Sequence, residues 1–485
     1  MKKVISIILL LAMMVTICAC GNNGTTGNVS TENNNNNESQ SNNSTNENQS
    51  NNSTNESQKP GDIIDAGAMI LTKMGTVPDG VNFTSGGIIT RSEGEKVQIL
   101  NQNGAPFNDK WYDDVDSIIS NGICVVSNVD ANGKELLGVV DSINEKEIVS
   151  CEAVEVIMLS ERFVLLGYET GTGNEDDRFG FYYTDSEIVN YKGYGKILDL
   201  EKGQVVSGVE ITTSKYKVSA AGNMIFVKTD YHTSDVFDAE GKLVGTYEYI
   251  YAHPESGIAL QSTKEGVCVY DKDMKLVSTL VTTGFSDQYQ AVDGTSEMLL
   301  HTYTVTEGDN VVNRYCVTDL SGKALTAEYT CILQVYPEGF LSVSEGDSIS
   351  IVDFAGNVIV PGSASYRAPG YFVALVQGEG YYIYDRTGKK INETAMADGY
   401  SGLIVKDDSG KVLVLETGEM LAAEGFAREQ TGSLALIKST LYDVITGKAV
   451  LNDVDACVAT GGNLYVWDSE KETYTRYTAE FKSEG

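Results

Sequence analysis

The feature that most constrains this chain is a spacing. Gly87 to Asn101, Gly257 to Asp271, Gly339 to Asp353 and Gly402 to Glu416 are each fourteen residues apart, and Gly370 to Asp385 is fifteen. The clearest instance reads Gly370-Tyr-Phe-Val-Ala-Leu-Val376, a short turn, Gly380-Tyr-Tyr-Ile-Tyr384, then Asp385-Arg-Thr-Gly388 and Lys389-Lys-Ile391. Two apolar strands joined by a hairpin lead through a turn into a third strand. The same turn recurs as Asp238-Ala-Glu-Gly241, Asp319-Leu-Ser-Gly322 and Asp353-Phe-Ala-Gly356, and less perfectly after Asn101, Asp141, Asp271, Glu416 and Asp443. Asp opens such a turn by accepting backbone N–H groups two residues on, and Gly takes the positive φ that returns the chain to the next strand. Beyond Lys59 no 3.6-residue periodicity lasts longer than two turns, whereas short apolar or alternating runs recur at intervals of about 30 to 50 residues. The chain is expected to be all-β.

One unit per glycine-led strand gives about ten or eleven units from Gly87 onward, each with room for three or four short strands. A unit this small cannot bury both faces of its sheet alone, so the units must stack. Radial stacking makes a β-propeller of short antiparallel blades, and closure of the ring removes exposed strand edges. The propeller is therefore the expected fold, with strands near Leu464 to Trp467 completing a blade together with the N-terminal chain. The count is high for one ring. It leaves open a merger of units into seven or eight larger blades, two tandem propellers, or an open β-solenoid.

The stretches Trp111-Tyr-Asp-Asp-Val115 with Gly122-Ile-Cys-Val-Val126, Leu137-Gly138-Val-Val-Asp141, Phe179-Gly180-Phe-Tyr and Gly356-Asn-Val-Ile-Val-Pro361 resemble degenerate bacterial Trp-Gly (WG) repeats. The likeness is spread over most of residues 80–470, although the Trp-Gly pair is absent: Trp111 precedes Tyr112 and Trp467 precedes Asp468. The resemblance implies a repeat scaffold and carries over no catalytic residue.

The N-terminus has a different grammar. Met1-Lys2-Lys3 is basic, and Val4 to Ile17 is an apolar run too short to span a bilayer, the pattern of an export signal. It ends in Ile17-Cys18-Ala19-Cys20-Gly21, which resembles the bacterial lipobox. That resemblance implies that residues 1–19 are a signal peptide and that Cys20 is lipidated, with acyl chains able to hold the protein on a membrane. From Gly21 to Gln58 the chain is almost wholly Asn, Ser, Thr, Gly, Gln and Glu, and 42–50 is nearly copied by 51–58. No core can form there, so residues 20–60 read as a lipidated Cys plus tether and residues 61–485 as the repeat domain. Lipobox and Asn-rich spacer together suggest a Gram-positive, outward-facing lipoprotein.

Lys plus Arg total 35 against 68 Asp plus Glu, and the net charge of −33 argues against nucleic acid or an anionic surface as partner. His232, His253 and His301 share no metal-ligand spacing and no GxSxG elbow accompanies them, so a core or exposed His is the expected role of each, beside the remote case of a triad assembled across blades. Of Cys124, Cys151, Cys268, Cys316, Cys331 and Cys457, four lie in apolar strand contexts as small buried hydrophobes. Export permits disulfides, and Cys316 with Cys331, flanking the turn at Asp319, is the pair the layout favours, although connectivity is not readable. Asn128-Val-Asp130-Ala-Asn132-Gly133 matches the first half of a Ca²⁺ loop, but the twelfth position is Val139 where a Glu is needed, so a plain hairpin turn is expected. The acidic loop Asn174-Glu-Asp-Asp177 reads as solvated, and Gly171-Thr-Gly173 has no helix behind it to cradle phosphate.

No catalytic residue, metal site or cofactor is therefore expected. The reading is a cell-surface lipoprotein whose domain binds or scaffolds an extracytoplasmic protein, peptide or wall ligand, with its membrane contact through Cys20. The alternative is an exported propeller enzyme that cleaves glycan with carboxylates at the central channel.

Overall fold

A computed structural model describes residues 62–482 apart from 121, 172–191, 212–217, 284–285, 309, 347, 368, 397 and 422–428. Cys20, the tether, the acidic loop at Glu175 to Asp177 and the Phe179-Gly180 stretch lie outside the described residues. The chain divides into two units, Met1–Glu56 and Ser57–Gly485, and everything below concerns the second.

The described residues form eleven small antiparallel sheets. Taken in chain order, blades 1 to 10 span residues 82–100, 114–153, 155–211, 218–248, 250–280, 288–319, 332–361, 365–385, 398–421 and 429–451. Blade 11 joins both ends of the unit, in the order Ile63–Ala66, Met69–Pro78, Thr473–Phe481, Asn463–Asp468, Cys457–Thr460. First strands of neighbouring blades meet, as Val218–Ala221 does Ile250–His253 and Glu429–Thr431 does Cys457–Thr460. Outermost strands meet likewise, Ala449–Leu451 against Ile63–Ala66.

Why the apolar runs do not alternate is clear from the packing between blades. In Phe163–Gly171, Phe163 and Leu165 cluster with Val218, Ala220 and Ile225 of blade 4, whereas Val164 and Leu166 cluster with Ile123 and Val139 of blade 2. A strand covered on both faces has no polar side to show, so it reads as a continuous hydrophobic run. Equivalent clusters join each blade to the next around the molecule. Leu434 and Leu441 of blade 10 then pack on Leu71 and Leu464 of blade 11, and Val77 and Tyr465 of blade 11 pack on Ile89 and Leu100 of blade 1. The ring is closed, and the fold is a single β-propeller. Neither the merger into seven or eight blades nor the tandem pair occurs, because every unit keeps its own sheet and its own two neighbours; the open solenoid fails because the last blade meets the first.

Closure is hydrogen-bonded as well as apolar. Met69–Pro78 pairs with Thr473–Phe481 along its whole length, from Met69↔Phe481 to Pro78↔Thr473, with one bulge between Lys73 and Gly75. The buried carboxylate of Asp443 in blade 10 accepts the Ala68 N–H at 2.9 Å, and Thr460 Oγ1 accepts the Gly87 N–H at 2.9 Å on the other side.

The spacing read from the sequence now has a structural meaning. The glycine precedes the second strand of a blade, the hairpin and third strand follow, and the Asp turn leads to the fourth. Asp238 Oδ1 accepts the N–H groups of Glu240 and Lys242 at 3.0 and 2.8 Å, and Asp319 Oδ1 those of Ser321 and Lys323 at 2.8 and 3.0 Å. The same device closes the hairpin at Asp130, which accepts from Asn132 and Lys134 at 2.8 and 2.9 Å, and at Asp407. Asn128 to Gly133 is thus a hairpin turn, as expected. Among the described residues no cluster of His, Cys, Asp or Glu could hold a metal ion.

Candidate functional site

Among the described residues three blades have only three strands, and in each the fourth is lost in the same way. In blades 1, 6 and 8 the fourth segment meets the third strand only through two isolated bridges: Leu100↔Pro106 and Val97↔Tyr112, Thr318↔Ala324 and Tyr315↔Tyr329, Tyr384↔Lys390 and Tyr381↔Met396. Lys389 to Ile391, read from sequence as a strand, is such a segment. Between the bridges the chain bulges away, and a side chain takes over the lost ladder bond. Gln98 Nε2 donates to the Asn108 carbonyl at 2.7 Å in blade 1. Thr326 Oγ1 accepts the Val317 N–H at 3.0 Å in blade 6, and Asn392 Oδ1 accepts the Ile383 N–H at 2.8 Å in blade 8. Backbone groups buried at such a gap need these partners.

The bulge of blade 1 carries Lys110, Trp111 and Tyr112 to the rim beside blade 2, where they line an open groove of about 400 Å³ with Asn128, Asp130, Glu147, Ser150 and Cys151. Trp111 is propped by a chain of contacts. The Arg91 guanidinium lies 5.4 Å from its ring centre, Arg91 Nε donates to Gln98 Oε1 at 2.7 Å, and Gln98 holds the bulge. Lys110 pairs with Glu147 across the groove. Asp113, next in sequence, pairs with Lys96 at 2.7 Å and accepts the Val129 N–H at 2.9 Å, and these contacts hold its carboxyl below the ordinary range.

Tyr112 is 1% exposed, between Ile88 and Ile99 of its own blade and Cys124 and Val140 of the next. Burial drives its phenol well above the ordinary value, with Glu147, Cys151 and Cys124 adding to the effect and the nearby Asn108 side chain opposing it. Asn108 lies outside hydrogen-bonding geometry, and the Tyr112 hydroxyl makes no hydrogen bond. In the sequence Trp111-Tyr112 reads only as a repeat landmark. The signal that distinguishes it is the Gln98 prop, a contact ten residues away in the chain that no local pattern announces.

The histidines and cysteines occupy other places. His301 Nε2 lies 2.6 Å from Asp287 Oδ1, its ring stacks on Tyr289 at 4.1 Å and Tyr303 at 4.7 Å, and its Nδ1 faces Cys316 Sγ at 4.0 Å. Burial, with Glu328 adding, raises the Cys316 thiol, which is 5% exposed, so the group holds a neutral thiol and not a thiolate nucleophile. Cys316 is also not bonded to Cys331, which corrects the expected pairing: the Cys316 side chain faces His301 across its own blade, whereas Cys331 precedes the first strand of blade 7. Cys124 is buried between blades 1 and 2, and burial pushes its thiol up to about 12. His232 lies against Tyr231 and Tyr249, and His253 is driven below its ordinary value by burial. Of the carboxylates on first strands, Asp114 and Asp116 belong to blade 2, Glu155 to blade 3, Asp398 to blade 9 and Glu429 to blade 10.

No known family model matches this chain, and no curated protein does. Among solved structures it is similar to a eukaryotic initiation factor, at 11% identity over 80% of this chain and 97% of that one, with a TM-score of 0.38. BamB from Moraxella catarrhalis aligns at 13% identity over 84% of this chain and 99% of its own, with a TM-score of 0.20. Sqt1 of Chaetomium thermophilum, bound to the N-terminus of ribosomal protein L10, aligns at 11% over 65% and 98%, with a TM-score of 0.26. At these scores the likenesses carry no functional argument, and the propeller assignment rests on this chain's own strand pairing.

Proposed function

We propose that the protein is a lipid-anchored, outward-facing binding module, held at the membrane through Cys20 and presenting its propeller to an extracytoplasmic ligand. The observation that carries the binding role is the groove between blades 1 and 2. It displays a rigidly propped Trp beside hydroxyl and amide groups, and it opens at the rim, where a large or extended ligand reaches it without entering a closed cavity. The anchor and spacer rest on the sequence of residues 1–58. A scaffold built from repeated blades suits presentation, since its loops and rim segments vary while the sheets hold position.

Metabolic labelling with a fatty acid tests the anchor: the wild-type protein incorporates label and Cys20→Ala does not, and label on Cys20→Ala would refute lipidation there. Crosslinking at the cell surface tests the binding role. A specific partner is expected with wild type and lost with Trp111→Ala, and recovery undiminished by that change would remove the groove from the reading.

A further inference from the structure

Independently of the groove, we infer that the protein pairs with a second copy of itself through the outer edge of the blade 6 hairpin, residues 310–314 against the same residues of the copy. The middle strands of blade 6, Met298–Glu307 and Asn310–Asp319, run ten residues each, where those of blade 7, Phe340–Glu345 and Ser348–Asp353, run six. Both pairs begin level at the Asp turn, with Met298↔Asp319 and Phe340↔Asp353, so the extra length lies at the hairpin end. At about 3.3 Å per residue, the blade 6 hairpin reaches about 13 Å farther. The first strand, Gln288–Ala291, pairs no farther along it than Thr302, and the fourth segment no farther than Tyr315. Residues 303–314 are therefore a two-stranded ribbon with no third strand beside it among the described residues. On the outer side Tyr315 N–H donates to the Tyr329 carbonyl at 2.9 Å and its carbonyl accepts the Tyr329 N–H at 2.8 Å. By strand alternation Asn313 and Val311 aim the same groups outward.

This edge lacks the protection that the molecule gives its other outer strands. Those of blades 2, 3, 4, 5, 7 and 10 each carry a register shift, and such bulges twist an edge away from further pairing. Met298–Glu307 and Asn310–Asp319 pair without any shift. Residues 310–313 read Asn-Val-Val-Asn, with no Pro and no charge, and Val311 is 70% exposed. The opposite edge is flanked, since Ser286 Oγ lies 2.8 Å from Thr304 Oγ1. The outer edge is also self-complementary. Laid antiparallel on its copy about Val312, it sets Val311 against Asn313 as hydrogen-bonded pairs and Arg314 against Asn310, so no like charges stand opposite one another. Arg314 is already paired with Glu307 of its own hairpin. Val305 is the partner of Val312 within the hairpin, so the two copies align a row of valines across a four-stranded sheet. A flexible peptide fits less well, because so short an edge must offset the entropy of ordering it, whereas a second hairpin arrives with its strand formed.

Val312 falls on the two-fold axis of this pairing, where a non-hydrogen-bonded pair brings Cα atoms to about 4.5 Å, within the range that a disulfide spans. In the full chain, purified in mild detergent and exposed to a mild oxidant, Val312→Cys should give a covalent dimer on a non-reducing gel. Wild type should not, and neither should Val311→Cys, which faces Asn313 of the copy. Adding Asn313→Pro to Val312→Cys deletes an outward N–H and leaves the hairpin's own bonds in place, so the dimer should be lost while the melting temperature holds. Because two chains of net charge −33 repel, the wild-type dimer in analytical ultracentrifugation should strengthen as salt is added. No dimer from Val312→Cys, equal linking through Val311→Cys, or linking that survives Asn313→Pro would overturn the pairing. A linked product whose second chain is another protein would overturn the second copy as occupant. Trp111 takes no part in any of these measurements, so the groove between blades 1 and 2 stands or falls separately.

Discussion

Blade 5 and blade 1 are built from the same turn chemistry and end differently. In blade 5 the fourth strand, Leu276–Leu280, pairs with Gly266–Tyr270 along its length, with one register shift between Val269 and Tyr270, and leaves Leu276 and Val277 facing outward. In blade 1 the corresponding segment touches the ladder at Pro106 and Tyr112 alone, and the residues between them form the rim of a groove. The regular blade satisfies its backbone by strand pairing. The bulged blade does so through the side chain of Gln98, and the chain released from the ladder lines the groove beside blade 2. Within one repeat architecture, the site arises where a strand is given up and a polar side chain replaces it.

The sharpest way to break that comparison is to open the ring. Deleting Thr473 onward removes the strand that pairs with Met69–Pro78, and both kinds of blade should lose protection together, read as global loss of amide-exchange protection and of the β signal in far-UV dichroism. Protection that persists in blades 4 to 8 would show units that stand alone.

Next is the side-chain substitute itself. Asn392 is buried, accepts from Ile383 N–H at 2.8 Å and donates to the carbonyls of Tyr381 and Thr394 at 2.9 Å each. Asn392→Ala should cost about 2–4 kcal/mol in urea denaturation, because it strands several buried backbone groups at once. Asn357→Ala, which touches only an exposed turn, should cost under about 1 kcal/mol. Equal costs would mean that the bulged blades do not depend on their polar plug.

Gly388→Val should cost on the order of 1–3 kcal/mol, since Gly388 sits at φ +83° and an added Cβ would meet the Ile359 carbonyl oxygen at 2.8 Å. Gly378→Ala, at the same φ but with open space around it, isolates the conformational part and should cost about 1 kcal/mol. Matching losses in the two variants would show that contact with blade 7 adds nothing.

The smallest effect is spread over many turns. Asp319, Asp353 and Asp407 are held below the ordinary value of 3.8 first by the side chains of Ser321, Asn357 and Ser409, and Asp130 first by the Lys134 N–H. A depressed carboxyl stabilises the fold above its unfolded pKa and loses that contribution as pH falls through the folded one. Stability should therefore be level from neutral pH down to about pH 4 and then decline, with regular and bulged blades affected alike. A decline that begins well above pH 4 would show that these turn carboxylates do not set the acid limit of the fold.

The Asp-turn motif, the glycine-led strands and the closing strand at Leu464 to Trp467 are all legible in the chain, and the reason is that their causes lie within a few residues. Asp238 bonds to Glu240 and Lys242, and a strand buried on two sides announces itself by an unbroken apolar run such as Phe163 to Leu166. The sequence by itself thus determined an all-β repeat protein with about the observed number of units. The tertiary structure alone decided that eleven sheets share one ring, since that depends on Leu71 meeting Leu434 and Val77 meeting Ile89. It also decided that Cys316 turns toward His301 instead of Cys331, and that the Trp111 segment leaves its ladder. Each of these outcomes is a choice among partners remote in sequence, and local spacing holds no record of which partner packing selects.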